Sequence, residues 1–190
     1  MLIADLKKTI REVPDFPKPG INFYDLTTLF REPVAFRSAV DRMVERYRGE
    51  RLDALAGIEA RGFVLAAAMA HQLEIGLVLL RKPGKLPGET DGEDYGLEYG
   101  EARVEIHRDA LAPGHKVVVV DDVLATGGTA AAAGRLIERQ GAEVQGYAFL
   151  VELGFLAGRG KLGRSNVFSL LQYDGSTGEG TDPSPGQQGP

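Results

Sequence analysis

Residues 117–129 read Val-Val-Val-Val-Asp-Asp-Val-Leu-Ala-Thr-Gly-Gly-Thr and run directly into an alanine-rich helical pattern, Ala130 to Gln140. Four valines without polar alternation suit a parallel strand buried on both faces. Ligands of such sheets sit beyond the carboxyl ends of the strands, where Asp121 and Asp122 fall. Thr126, Gly127, Gly128 and Thr129 then present backbone N–H groups at a helix start, where unpaired donors and the helix dipole favour a phosphate. The two glycines let the backbone approach closely, so Ala125 to Thr129 read as a cradle. Two carboxylates beside an anion site are better suited to ribose hydroxyls or a hydrated Mg²⁺. A sugar phosphate satisfies both halves, whereas a solvated acidic turn with a Thr N-cap explains neither the doubled acid nor the doubled glycine.

Outward from that segment, strands are predicted near Ala54–Ile58, Gly76–Leu80, Lys116–Val120, Val144–Val151 and Val167–Leu171, with helices near Phe63–Gln72 and Ala130–Gln140 between them. This alternation implies a parallel α/β sheet. Leu2, Leu6, Ile10 and Val13 recur at helical spacing, as do Phe36, Val40, Val44 and Tyr47 in a helix predicted from Pro33 to Arg48, and Pro33 suits a first helical turn. Between Arg81 and Arg103 lie five glycines, two prolines and six acids with little periodicity. A segment so long and irregular is typical of a mobile lid, with short strands expected at its two ends. From Ser176 to Pro190 there is no aliphatic residue, so this tail cannot repay its ordering entropy and is expected to be disordered. Residues 1–175 are thus expected to form one domain, with the lid at about 81–103 and the tail at 176–190.

The 190 residues are enough for one ordinary domain. The absence of cysteine excludes disulfides, thiolate zinc sites and a thiol nucleophile, and fits a reducing interior, so a cytoplasmic location is expected. No apolar run reaches the roughly 20 residues of a membrane span, and the charged amphipathic amino terminus is unlike a signal peptide; no membrane association is expected. A net charge of −5 disfavours a broad nucleic-acid surface. Binding a polyanionic substrate must then depend on a few local cations. Arg61 follows the strand ending at Ile58, at the same sheet edge as Asp121, and a cation beside a helix N-terminus is electrostatically misplaced unless it faces an anion. Glu59 is expected either to pair with it or to be solvated. Arg81, Lys82 and Lys85 cluster at the start of the lid.

The segment Val117–Thr129 resembles the 5-phosphoribosyl pyrophosphate (PRPP) signature of the type I phosphoribosyltransferases. PDFPKPG (Pro14–Gly20), EARGF (Glu59–Phe63), RKPGKLPG (Arg81–Gly88) and LEYG (Leu97–Gly100) extend the likeness to the members acting on adenine, from about Val13 to Tyr173. The resemblance implies a central, mainly parallel five-stranded sheet flanked by helices, a flexible lid loop and a small hood from the N-terminal region. It implies transfer of phosphoribose from PRPP to adenine, giving AMP and pyrophosphate in purine salvage, with Mg²⁺ held partly through water by Asp121 and Asp122, in a homodimer. By the same resemblance, Arg61, Lys82 and Lys85 face the pyrophosphate, Phe23 stacks on the purine beside Asn22 and Tyr24, and Glu98 is the general acid/base, with Tyr99 closing the site. Members acting on 6-oxopurines usually carry an aspartate where this chain has Ala125, which cannot carry a proton, so a carboxylate must come from elsewhere. A lid acid suits this because closure both desolvates it and excludes water. Tyr24 departs from the family pattern, where many relatives carry arginine, and so does Asn22, often aliphatic.

Other signals carry less. Gly158, Gly160 and Gly163 spell GxGxxG without the strand that a dinucleotide site needs and are read as a loop. His71, His107 and His115 form neither a metal cluster nor a triad. The rivals are the same fold acting on another base, xanthine above all, and a non-catalytic PRPP-sensing regulator. The second would need a basic DNA-binding module, and none is visible ahead of the signature.

Overall fold

The computed structural model describes residues 1–96, 101–163 and 165–175. The chain begins with helix α1 (Ile3–Lys8), strand β1 (Arg11–Val13), strand β2 (Phe23–Asp25) and helices α2 (Thr27–Arg31) and α3 (Pro33–Tyr47). The helical spacing from Leu2 to Val13 is therefore only half realised. Thr9 closes α1 with its hydroxyl on the Leu6 carbonyl at 2.7 Å, and Val13 pairs with Phe23 in an antiparallel two-stranded sheet. A β-branched residue and a strand partner outweigh the spacing there.

Next come β3 (Ala54–Ile58), α4 (Arg61–Leu73), β4 (Gly76–Leu80), β5 (Thr90–Gly96), β6 (Glu101–His107), β7 (Lys116–Leu124), α5 (Gly128–Arg139), β8 (Glu143–Leu153) and β9 (Val167–Tyr173). Five strands form one parallel sheet in the order β4-β3-β7-β8-β9. Alternation along each strand feeds two cores. One holds Leu55, Val118, Val120 and Leu150 with residues of α3 and α4; the other holds Ala56, Ile58, Val117, Val119 and Phe149 with residues of α5. Val117 to Val120 are fully buried, as a strand covered on both faces requires.

The segment read as an irregular lid contains strand β5 and the first residues of β6. Seven residues of β5 pair antiparallel with seven of β6, from Thr90–His107 to Gly96–Glu101, and Arg81 bridges to Glu105 at its base. The sequence conceals this because Thr-Asp-Gly-Glu-Asp-Tyr-Gly has no apolar alternation. Its partners are charged: Arg103 holds Asp94 at 2.9 Å across the hairpin, and its guanidinium fills the space that a side chain at Gly92 would need. Leu97 to Gly100, with Glu98 and Tyr99, and the tail from Ser176 lie outside the described residues.

Candidate active site

From β3 the chain crosses to the neighbouring β4, and from β7 it moves away in the other direction, so the order of strands reverses between β3 and β7. That switch point is where a parallel sheet opens a crevice at its carboxyl edge. A cavity of about 610 Å³ lies there, a volume typical of small-molecule sites. Its walls include Ile58 at the end of β3 with Glu59 to Arg61 after it, Asp121 to Val123 on β7 with Ala125 after it, Asn22 to Tyr24 at the start of β2, Lys82, Tyr95 and Thr129.

β7 is longer than the run of valines suggests. It continues to Leu124, while its ladder with β3 ends at Gly57–Val120. Asp121 and Asp122 therefore stand on the part of β7 that has left β3 and is paired only with β8. Gly62 lets α4 approach this point: a Cβ there would come within 2.8 Å of the Val120 carbonyl and 2.9 Å of Asp121 Oδ1. The same oxygen accepts the Asp122 N–H at 2.9 Å. Burial, reinforced by the charge of Asp122, pushes the Asp121 carboxyl well above the usual range, with the Arg61 guanidinium pulling the other way.

Asp122 is buried, and Arg61 lies against its Oδ2 as an ion pair. The contact lacks hydrogen-bond alignment, so this buried oxygen has an opposing charge but no donor. Arg61 thus faces an anion, as a cation in the first turn of a helix requires, and the anion is Asp122. Glu59 pairs instead with Arg81, accepting from Nε at 3.2 Å, and takes the backbone N–H of Lys82 at 3.0 Å. The Lys82 amide, followed by the guanidinium of Arg81, holds the Glu59 carboxyl below its ordinary value. Lys82 lines the cavity, whereas Lys85 is exposed and is not among the lining residues.

The cradle is a separate recess of about 70 Å³ enclosed by residues 121 and 123–130 with Phe149. Gly127 is the N-cap of α5 in the left-handed region, φ 75°, and no side chain caps the helix. The N–H groups of the first turn, from residues 128–130, have no carbonyl one turn back, so they are available to an anion. Gly158, in the 3₁₀ turn Gly158–Leu162, packs on this loop from behind. A Cβ at Gly127 would lie 2.3 Å from the Gly158 carbonyl oxygen, and one at Gly158 2.1 Å from that of Ala125. Arg159 anchors the turn on the buried Glu152 with bonds of 2.6 and 2.7 Å.

On β2, Phe23 meets Phe16 edge to face at 5.3 Å, and the Arg61 guanidinium lies 5.8 Å from its ring centre. Neighbouring side chains are engaged elsewhere: the Asn22 amide donates to Glu12 at 2.8 Å and the Tyr24 ring packs on Tyr173 at 4.2 Å. All three residues nevertheless border the cavity.

A phosphoribosyl transferase domain family matches residues 32–166. An adenine phosphoribosyltransferase from Anaeromyxobacter dehalogenans (strain 2CP-1 / ATCC BAA-258) is 57% identical over 168 residues, 88% of this chain and 98% of the relative. The chain belongs to the adenine phosphoribosyltransferase family. Solved members share its architecture. The Thermoanaerobacter pseudethanolicus enzyme superposes with a TM-score of 0.88 at 45% identity, covering 90% of this chain and 100% of that one. The Saccharomyces cerevisiae enzyme, solved with adenine and an imino-altritol bisphosphate, gives 0.84 at 41%, covering 89% and 98%.

Within this adenine phosphoribosyltransferase scaffold, the cavity gathers Phe23, Asn22, Tyr24, Arg61, Lys82, Asp121, Asp122, Ala125 and Thr129, which were expected from the sequence. Thr126, Gly127 and Gly128 line the adjoining recess. Tyr95 and Gly158 were missed. Tyr95 sits in a strand without a hydrophobic pattern, and Gly158 looks from the sequence like Gly160 beside it. The histidines are peripheral: His107 bonds the Pro87 carbonyl at 2.7 Å, His115 the Ala112 amide at 3.3 Å, and His71 is exposed on α4. Among the described residues no three His, Asp or Glu side chains converge as metal ligands, and no helix is long and apolar enough to cross a membrane.

Proposed function

We propose that this chain transfers the 5-phosphoribosyl group of PRPP to adenine, releasing pyrophosphate and forming AMP, in purine salvage. The observation that carries the reading is the uncapped start of α5 beside the Asp121–Asp122 pair, at the switch point of a sheet shared with adenine phosphoribosyltransferases. The amides of residues 128–130 hold the 5′-phosphate, and the hydroxyls of Thr126 and Thr129 complete its shell. Asp121 and Asp122 take the ribose hydroxyls, and their negative charge stabilises the oxocarbenium-like sugar as the bond to pyrophosphate breaks. Arg61 and Lys82 receive the pyrophosphate, with Lys85 joining from the exposed turn. Arg61 exchanges its contact with Asp122 for the incoming anion, which leaves Asp122 free for the ribose.

The acid pair fits Mg²⁺. Two carboxylates, one with an oxygen lacking a donor, match a cation that keeps several waters and takes its remaining ligands from substrate phosphates. Bound there, it would neutralise the departing pyrophosphate. Adenine stacks on Phe23. Because the Asn22 side chain is engaged by Glu12 and the Tyr24 ring by Tyr173 of β9, the purine edge is read by backbone groups of residues 21–24, which makes the departures from the family pattern at these two positions compatible with adenine. Glu98 exchanges the base proton and Tyr99 closes the site over it. The enzyme works in the cytoplasm as a homodimer; Val64 on α4 and Leu77 and Leu79 on the edge strand β4 expose an apolar face suited to self-association.

The deciding experiment incubates the protein with PRPP, Mg²⁺ and, in parallel, adenine, hypoxanthine, guanine, xanthine and orotate, and separates the nucleotides formed. AMP alone establishes the reading. Another nucleotide overturns the base pocket, and PRPP binding without any product indicates a sensor.

A further inference from the structure

Glu93 of β5 is held between two arginines of α5. Its Oε1 accepts from Arg135 Nε at 2.6 Å, and Oε2 pairs with Arg139, which also donates from Nη1 to the Gly92 carbonyl at 3.1 Å. The carboxylate is 17% exposed and the two arginines about half. Arg135 and Arg139 are four residues apart and so project from one face of the helix. Their helix is the one whose first turn forms the phosphate cradle.

A second contact joins the same strand and helix at the other end. Tyr95 lies two residues beyond Glu93, on the same face of β5. Its ring comes within 3.5 Å, and the Gly96 carbonyl within 3.6 Å, of where a Cβ on Gly128 would stand. Gly128 precedes Arg135 by seven residues, about 10 Å of helix, and the two or three residues from Glu93 to Tyr95 and Gly96 span about 7–10 Å of strand. The spacings agree, so the hairpin lies along α5 with its charged anchor at one point and its aromatic contact at the cradle. Tyr95 there forms part of the wall of the main cavity. Val104 and Ile106 of the paired strand β6 are buried in the core with α5 and hold the hairpin as a whole, whereas β5 itself meets that core only through the partly buried Tyr95, so the placement of this outer strand depends on the charged anchor at Glu93.

We propose that Glu93 is a positioning residue of the transfer reaction: its clamp on Arg135 and Arg139 holds the hairpin against α5, so that Tyr95 walls the ribose-phosphate end of the cavity. The inference rests on the phosphoribosyl transfer proposed above and assigns a further residue to it. Glu93 is engaged as a structural anion and takes no part in moving the base proton. Its effect falls on binding of PRPP, because the hairpin must be in place before the wall is complete.

The test compares the wild type with Glu93→Gln, Glu93→Asp, Tyr95→Ala and the double variant Glu93→Gln/Tyr95→Ala. Two partly exposed ion pairs, once lost, lower the population of the docked hairpin enough to raise KM for PRPP about five- to tenfold, with kcat within about twofold. Glu93→Asp recovers part of the loss. Tyr95→Ala raises the same KM, and the double variant does so by less than the product of the single effects, because both act through one wall. Hydrogen exchange without substrate shows faster exchange at residues 90–96 in Glu93→Gln and unchanged protection in β7. An active wild type whose Glu93→Gln variant keeps both its KM and its exchange pattern overturns the clamp, as does strict multiplicativity with Tyr95→Ala. A wild type that makes no AMP overturns the reaction assigned to the site instead, and the exchange measurement still reports whether Glu93 holds the hairpin.

Discussion

Gly158→Ala places a methyl group where the structure has no room. The new Cβ would stand 2.1 Å from the Ala125 carbonyl oxygen, about 1.3 Å short of the 3.4 Å at which ordinary contact begins, and 3.0 Å from Leu124 Cδ1. The obstacle at Ala125 is backbone, so no rotamer relieves it. Either the 3₁₀ turn lifts, against the bonds between Arg159 and Glu152, or the cradle shifts by about 1 Å. Overpacking of this kind costs about 1–3 kcal/mol of stability, and a displacement of about 1 Å at a substrate-positioning loop costs on the order of 10²-fold in rate. The expected outcome is therefore a fall of about 10²-fold in kcat/KM for PRPP in a protein that still unfolds cooperatively, with KM for adenine little changed. Steady-state kinetics with each substrate varied, together with thermal unfolding, measure both effects. Gly160→Ala is the control, because a Cβ there meets nothing within 4 Å. A folded Gly158→Ala enzyme whose kcat/KM for PRPP stays within about twofold of wild type would refute the argument that this turn shapes the cradle.

Replacing both Asp121 and Asp122 by asparagine is expected to weaken PRPP binding in the presence of Mg²⁺ by at least about tenfold, since two charged hydrogen-bond acceptors are lost; calorimetry showing wild-type affinity would sink the ribose assignment. Glu98→Gln should lower kcat about 10²–10⁴-fold while PRPP still binds, and unchanged turnover would move the proton to another group. Arg159→Met strips the buried Glu152 of its two charged bonds, which should cost about 1–3 kcal/mol in urea unfolding and raise KM for PRPP. Asp25 is held down to about 2, from an ordinary value near 3.8, by the Thr27 hydroxyl, then by Arg11 and the Thr27 amide. Its stabilisation is complete above about pH 4 and is lost as pH falls from about 4 to about 2, on the order of 1 kcal/mol after allowance for solvent screening. Asp25→Asn should flatten acid unfolding in that window, and an identical acid profile would refute the linkage.

The five strands of the main sheet and the glycine turn that opens α5 were legible from the sequence because each depends on local chemistry. A buried parallel strand must be a run of apolar residues, and a backbone that approaches an anion must carry glycine; Val117 to Val120 and Thr126 to Thr129 meet those conditions without help from elsewhere. The hairpin β5–β6 was not legible. Its register rests on Arg103 with Asp94 and its docking on Glu93 with Arg135 and Arg139, pairs whose members lie about ten and more than forty residues apart, and charge at such separations leaves no periodic trace. The same limit applies to Arg61, which the sequence directs to an anion without saying that Asp122 supplies one, and to Glu59, which turns to Arg81. The sequence by itself determined the sheet, the acids at its edge and the glycine turn into α5, since hydrophobic period and backbone freedom are properties of neighbouring residues. Only the tertiary structure decided which cation meets which carboxylate, that Tyr95 walls the cavity, and that Gly158 rather than Gly160 supports the cradle, because these depend on distances across the fold that no local pattern encodes.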